Sequence, residues 1–568
     1  MKILLIYPPG WIRYNLLPPL GIAILATVLR NEGHIVKQCN IEIDIVSSTH
    51  RKKTKIGLEW VIKRDLISQY LRGHIPPELA GFLHFLSNYQ EWNSYDAVCF
   101  STLGELQVFS AAVIAKYIKN LYPEIKTILG GVFPVSMPEK TSQLLESIGS
   151  QSIDLIYKFD DAGQRLVNIL KNDSFYKTLN HVPQEFADAN TLSSTDLSYH
   201  LPTFDFSISD QLDLVKSIYG LSSSSPMLQY LVSQGCSSKC AFCTRCQQPV
   251  VLRRPSDVAD DLLYLSEKYC TKLFKLECNL INPSKQWLQD LCKAFVSKRL
   301  EIKWNAYAKI GSIDKAVAEK LKQAGCMILR FGVESGSDHV LRILGKGYQV
   351  KDVEKILRIT KEAGIWNGVL FMLGVPGETE KDVEQTVEFI KRNSKYIDSA
   401  LVNIFTLLQG TRFYQDPKSY QIQIFRDTLT GELCFHDLQT GRLWEDHKKF
   451  SINAHDRIIQ ALIDEGIGLT GTCVDLLLWA VFHFQDHSKV REFLFSTHPQ
   501  FFKPYPHHVQ RWLLYHAEEE FPFPNYHSPI LTNRLGYSGV QKKCASDNMD
   551  VLLSDGTRET DSNYALLC

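Results

Sequence analysis

Short apolar runs recur through the first four hundred residues, and each is followed by a stretch whose apolar residues fall at helical spacing. Runs of that length bounded by Gly and Pro read as strands, and the spaced stretches read as amphipathic helices. Lys2 to Tyr7 is a first strand, closed by Pro8-Pro9-Gly10. A helix opens at Pro18-Pro19-Leu20-Gly21 and ends before Gly33. Further strands are expected near 35–43, 96–102, 125–129 and 154–159, with helices over 106–121 and 163–171. Strands alternating with helices predict a doubly wound, flavodoxin-like parallel sheet, which binds ligands beyond its strand carboxyl ends. Residues 47–95 read as a mostly helical insertion.

Residues 191–225, rich in Ser, Thr and Asp, read as a linker that ends at Ser222 to Ser225 and Pro226. Six strand–helix units follow. Their strands are expected at 228–235, 273–278, 301–308, 327–334, 367–374 and 401–408, and their helices at 256–269, 284–298, 314–324, 338–344, 351–363 and 380–393. Ser256 and Ser284 read as N-caps, and Gly325 and Gly364 as C-cap glycines. Six such units predict a parallel (β/α)6 partial barrel with its chemistry at the strand carboxyl ends. Beyond residue 435 the chemical signals stop. Stretches 458–467 and 474–484 read as helices of a mostly helical cap over the barrel mouth, and the last thirty residues as an irregular polar tail. The expected organisation is therefore 1–190, a linker 191–225, a barrel 226–425 and a helical part with a polar tail 426–568.

Lys plus Arg equals Asp plus Glu, 62 each, so no net field favours nucleic acid or an anionic membrane. The opening apolar run is too short to be a signal peptide, and the run 474–484 is interrupted by Asp475 and His483 and is too short to span a bilayer. A cytoplasmic protein without membrane or nucleic-acid partners is expected. Fourteen cysteines then read as reduced thiols plus metal ligands. Ten of the seventeen histidines lie beyond residue 435 without metal-ligand spacing, and they read as scattered, partly exposed side chains.

Cys236, Cys240 and Cys243 stand in Cys-Ser-Ser-Lys-Cys-Ala-Phe-Cys at the end of the first barrel strand. Three thiolates can converge on one soft metal centre, one fewer than a closed zinc or iron–sulfur site usually has. Taken alone, the triplet also fits a zinc knuckle. Cys246 extends the spacing; it reads as a buried side chain, because as a fourth ligand it would close the site.

The triplet, with Phe242 before its third cysteine, resembles the radical S-adenosylmethionine (SAM) superfamily, whose open cluster iron chelates the methionine end of SAM. The resemblance extends to later strand ends and implies cofactor-binding roles there. Glu277 matches the acidic residue that meets the SAM amino group, without the usual glycines, and Lys309 matches a polar residue for the SAM carboxylate. Phe331-Gly-Val-Glu-Ser-Gly-Ser337 resembles a subgroup signature that sets Glu334 and Ser335 toward SAM. Phe371 to Thr379 resembles a glycine–proline–glycine–glutamate–threonine turn whose backbone at Met372 and Gly374 borders the adenine. Leu408-Gln409-Gly410-Thr411 resembles a Pro-Gly-Thr ending with Gln in place of Pro.

The amino-terminal segment resembles the cobalamin-binding domain of the same superfamily on Pro18-Pro19-Leu20-Gly21, Ser101-Thr102 and Gly130-Gly131. That implies corrin contacts at Ser101, Thr102, Gly130 and Gly131. The chain lacks an Asp-x-His-x-x-Gly element, so no histidine is offered as lower ligand to cobalt, and 159–163 departs from the usual acidic stretch. A flavodoxin-like domain with another ligand is the alternative. Together the resemblances imply a [4Fe–4S] cluster, SAM, cobalamin and an external one-electron reductant such as a flavodoxin or ferredoxin. They imply methylation of an unactivated carbon in a natural product or peptide. Cobalamin-dependent rearrangement or cyclisation, and a non-catalytic iron–sulfur protein, are the alternatives.

Overall fold

The computed structural model describes residues 1–10, 16–52, 56, 58–158, 163–171, 201–205, 208–222, 225–245, 249–427, 433–470, 474–498, 550–552 and 558–560. Cys246, residues 159–162 and, of the expected linker, residues 191–200, 206, 207, 223 and 224 lie outside the described residues, while Ile208–Leu214 in that linker is a helix. Two compact units are present, Met1–Leu214 with Ala517–Pro522 and Val215–His516 with Phe523–Cys568.

The first unit is built on strands β1 (Lys2–Tyr7), β2 (Ile35–Asn40), β3 (Ala97–Ser101), β4 (Lys126–Gly130) and β5 (Leu155–Ile156), all parallel, in the order β2-β1-β3-β4-β5. This is the flavodoxin-like order, and β1 and β3 flank its switch point. Both sheet faces are buried: Ile3 and Leu5 pack with the helix Leu20–Asn31, while Leu4 and Ile6 pack with Glu105–Leu121 and with the 47–95 insertion. β2 ends three residues before its expected limit because Ile41 opens a helix.

The second unit is a curved parallel sheet. Its strands are β6 (Met227–Leu231), β9 (Leu273–Glu277), β10 (Lys303–Ala308), β11 (Cys326–Glu334), β12 (Trp366–Leu373) and β13 (Ser399–Ile404), paired in that sequence. Between β6 and β9 lies a short antiparallel ribbon of β7 (Ser233–Gln234) and β8 (Val251–Leu252). Each barrel strand alternates between the concave side and the outer helices. Trp304 packs edge-on against Phe295 and Phe371 against Phe389, both on helices, so their sequence neighbours face inward. Ser284 caps its helix through the N–H of Trp287 at 3.2 Å, and Gly325 and Gly364 end theirs at φ of +89° and +75°. Ser256 does not cap: the helix opens at Pro255, whose fixed φ suits the first helical position.

Beyond the six units the chain continues the barrel. A hairpin, β14 (Ile422–Arg426) with β15 (Leu433–Asp437), leads into the helix Trp444–Asp464, which packs on Glu380–Asn393 and β13. A seventh parallel strand, β16 (Gly468–Leu469), then pairs with β13. The region is mostly helical, yet its helix His487–Thr497 sits away from the mouth. His487 lies 3.1 Å from Asp398, just before β13, and its ring is 5.1 Å from Trp366, the first residue of β12, so it stands at the strand amino ends. Of the described histidines beyond residue 435, His483 is exposed and His436 and His487 are half-buried, as expected of scattered side chains, whereas His447, His455 and His498 are buried in these packings. Within the stretch expected to be irregular, β17 (Asp550–Leu552) pairs antiparallel with β18 (Arg558–Thr560).

Candidate active site

The cysteine loop begins where the chain must turn sharply. Gly235 has φ +75°, and a Cβ there would stand 1.9 Å from the Pro249 carbonyl oxygen, so only glycine admits the crossing of the two loop ends. The β7–β8 ribbon closes the loop below that crossing. Ala241 is fully buried; its N–H donates to Leu344 O at 2.9 Å, and its carbonyl accepts from the Phe413 N–H at 3.3 Å. The loop is thus pinned to chain segments beyond β11 and β13.

Backbone N–H groups of Ser238 and Arg245 donate to the sulfurs of Cys236 and Cys243, each at 3.4 Å. Such donors favour a thiolate over a thiol and tune a cluster's potential. Burial pushes the Cys240 thiol up to about 11, and Glu334, Cys243 and Cys236 add to that rise while Lys346 opposes it. The three thiols therefore feel one another, and an electron-poor iron centre is what would displace their protons. Among the described residues no group of three His, Cys, Asp or Glu side chains is drawn together as one metal ion requires.

Beside Cys240 lies a buried ion pair. A register shift between Gly332 and Glu334 on the β11–β12 ladder gives Glu334 a left-handed φ of +66°. Gly332 makes room for the carboxylate, since a Cβ there would lie 2.5 Å from Glu334 Oε1. Lys346 Nζ donates to that oxygen at 2.9 Å and stands 5.5 Å over the Phe242 ring. Burial works against the Lys346 charge, but the Glu334 carboxylate outweighs it and holds the ammonium well above its ordinary range. Tyr348 O–H donates to Gly332 O at 2.6 Å and closes the turn.

The other expected site residues divide. Glu277 ends β9 with its carboxylate 2.7 Å from Lys275 Nζ, and Lys309 Nζ lies 3.5 Å from Ser237 Oγ beside the cysteine loop. Ser335 does not face the site. The left-handed turn at Glu334 sends it outward, where it is fully buried, 3.0 Å from Thr386 Oγ1. Met372 packs, half-buried, against the apolar cluster that includes Ala241 and Phe405. Gly374 has φ +73°, and a Cβ there would stand 2.2 Å from Ser451 Oγ.

The turn after β12 is held from within and from the carboxyl-terminal part. Glu378 Oε2 accepts from the Gly374 N–H at 2.6 Å, while His447 Nε2 lies 2.8 Å from Gly374 O. The Gly377 N–H donates to Asp437 at 2.9 Å. Burial pushes Glu378 up to about 8, which its two backbone donors only partly offset. Burial likewise lowers His447, so the ring is neutral and its Nε2–H donates to the carbonyl. The carboxyl-terminal part thus supports the turn after β12 through His447 and Asp437. Lys346 and His447 were not singled out from the sequence, and Glu378 entered only as the glutamate of the Phe371 to Thr379 turn. Lys346 left a signal in Gly345 and Gly347, which flank it and both have positive φ.

In the first unit, Ser101 pairs with Gly130 across β3 and β4. Thr102 is buried, its hydroxyl donating to Gly130 O at 3.1 Å, so it shapes the loop instead of offering itself to a ligand. Gly131 has φ +104°, and a Cβ would meet Thr102 N at 2.4 Å. Next to these, Leu103 is 52% and Val132 47% exposed, two aliphatic side chains at the strand carboxyl ends beside the switch point. Such a surface fits a large, flat, partly apolar ligand.

Residues 230–390 match the model of the radical SAM superfamily. A Pyrococcus horikoshii protein described as an uncharacterized methyltransferase is 25% identical over 430 residues, 73% of this chain and 83% of its own length. The bacteriochlorophyllide d C-12(1)-methyltransferase of Chlorobaculum tepidum is 22% identical over 58% of this chain and 67% of its own. The structure of the radical SAM methyltransferase TsrM from Kitasatospora setae, with cobalamin and a [4Fe–4S] cluster bound, aligns with TM-score 0.56 at 15% identity over 81% of this chain and 88% of that one. The cobalamin-dependent SAM radical enzyme OxsB, with aqua-cobalamin and SAM bound, aligns with TM-score 0.52 at 15% identity over 95% and 75%. Residues 230–390 thus carry a radical SAM domain, and the fold of the chain around them resembles that of TsrM and OxsB.

Proposed function

We propose that this protein is a cobalamin-dependent radical SAM enzyme that methylates an unactivated carbon of a small molecule or peptide. The observation that carries the reading is the pinned loop of Cys236, Cys240 and Cys243 with a buried Lys346–Glu334 pair beside it. When bound, the cluster supplies the electron that breaks the sulfur–carbon bond of SAM, and cobalamin supplies the methyl group. The three cysteines would hold the cluster and leave SAM the position that a fourth ligand would otherwise take. Lys346, a fixed cation beside Cys240, would suit the methionine carboxylate of SAM, while Glu277 and Glu334 would suit its ammonium. The Met372–Gly374 backbone, stiffened by Glu378 and His447, borders the adenine. Ser101, Gly130 and Gly131, with Leu103 and Val132, offer the corrin a glycine-lined apolar surface.

No described helix is long and apolar enough to cross a membrane. We place the protein in the cytoplasm, free of nucleic acid, with a ferredoxin or flavodoxin as electron donor. Cyclisation without net methylation is a second reading, favoured by 22% identity over 297 residues to the anaerobic magnesium-protoporphyrin IX monomethyl ester cyclase of Cereibacter sphaeroides, 46% of that protein.

The test is anaerobic reconstitution with iron, sulfide and cobalamin, followed by SAM and reductant. Release of 5′-deoxyadenosine that is lost in Cys240→Ala is expected; a loaded cluster that never cleaves SAM overturns the proposal. S-adenosylhomocysteine appearing alongside deoxyadenosine separates methylation from cyclisation.

A further inference from the structure

The concave side of the barrel holds polar groups that neither the cluster loop nor the adenine turn uses. Asn305 and Tyr307 on β10 face inward, since Trp304 between the strand and its helix faces out. Arg330 on β11 pairs in register with Tyr307, stands 5.5 Å over its ring, and donates to its hydroxyl at 3.4 Å. Gly368, the next strand's neighbour, leaves room for the side chain: a Cβ there would lie 3.3 Å from Arg330 Cγ. Lys275, in register with Asn305, is already paired with Glu277.

Arg330 is only 8% exposed and Asn305 1%. Among the described residues, Arg330 Nη2 and Asn305 Nδ2 are buried donors without a hydrogen-bond partner, and no carboxylate is within ion-pair distance of Arg330. A permanently charged guanidinium held dry without an anion is costly. Two orphaned N–H groups and one uncompensated positive charge match one carboxylate, whose two oxygens and single charge complement both. A phosphate dianion would leave a charge over. Arg330 lies four residues below Glu334 on β11, and because of the bulge between them only three residues lower on the partner strand, about 10 Å, where a substrate entering past SAM would end.

We infer that Arg330 and Asn305 form a carboxylate-binding subsite in the barrel interior, and that the substrate of this enzyme is a carboxylate-bearing molecule. The inference rests on the proposed function only for the identity of the ligand as substrate; the subsite itself is read by binding. The test uses thermal melting of the full chain with pentanoate, pentanamide or inorganic phosphate. Pentanoate is expected to raise Tm and pentanamide to leave it unchanged. Arg330→Met should abolish the pentanoate shift while the ligand-free variant melts no lower than the parent. If that variant does not fold, Asn305→Leu should reduce the shift. An equal shift with pentanamide, a larger one with phosphate, or a pentanoate shift kept in Arg330→Met overturns the subsite. A pentanoate shift that persists under saturating SAM supports a substrate site, whereas its loss under SAM assigns the pocket to the SAM carboxylate and overturns the substrate inference. Deoxyadenosine release from the unsubstituted protein judges the radical reading separately.

Discussion

Glu334 adopts a left-handed backbone that a non-glycine residue takes only when its surroundings compel it. Here the β11–β12 register shift sets that conformation, and the ion pair with Lys346, both side chains being buried, fastens it. Breaking a buried pair by removing one partner is expected to cost about 3–5 kcal/mol, because the other charge is left dry. Lys346→Met should therefore lower the denaturant midpoint sharply, and Glu334→Gln with Lys346→Met should recover much of the loss. At Gly235, alanine would meet both a left-handed φ and the Pro249 carbonyl; a loss of about 1–3 kcal/mol with poorer iron loading is expected, read by melting and cluster absorbance. Glu378 gives a pH signature. Burial raises its native value to about 8 from 4.5, so between those limits the native state holds a proton that the unfolded state does not. Its contribution is thus fully present below pH 4.5 and lost as pH rises toward 8. Glu378→Gln, which mimics the protonated form, should gain Tm relative to the parent as pH climbs from 6 to 8.

Elements extend this. The turn after β12 was legible in the sequence as a glycine–proline–glycine–glutamate–threonine motif, but part of its stiffness comes from His447 on the helix Trp444–Asp464 and Asp437 at the end of β15. His447→Ala should leave cluster absorbance intact and raise the KM for SAM several-fold, because the Gly374 carbonyl loses its donor and the backbone beside the adenine loosens. The strands and helices of the barrel were legible because each carries its own period and its own caps. β7, β8 and β16 were not seen as separate strands. Each is two residues long, too short for any period, and each exists only because a partner strand lies beside it.

For the whole molecule, the carboxyl-terminal part is a continuation of the barrel. β16 hydrogen-bonds to β13, Phe435 packs with Phe405 and Ala241, and His487 closes on Asp398 at the strand amino ends. A chain ended after residue 432 is expected to aggregate instead of yielding a shorter folded protein, as measured by soluble yield and size exclusion. The sequence by itself determined what repeats locally: alternating strands and helices, glycines at forced turns, and a cysteine triplet whose spacing requires no partner to be recognised. Only the tertiary structure decided what depends on residues distant in the chain meeting. It turned Ser335 outward, brought Lys346 to Cys240 and His447 to Gly374, and left Arg330 and Asn305 dry inside the barrel. Charge and hydrogen-bond partners are set by neighbours in space, and a one-dimensional pattern contains no term for them.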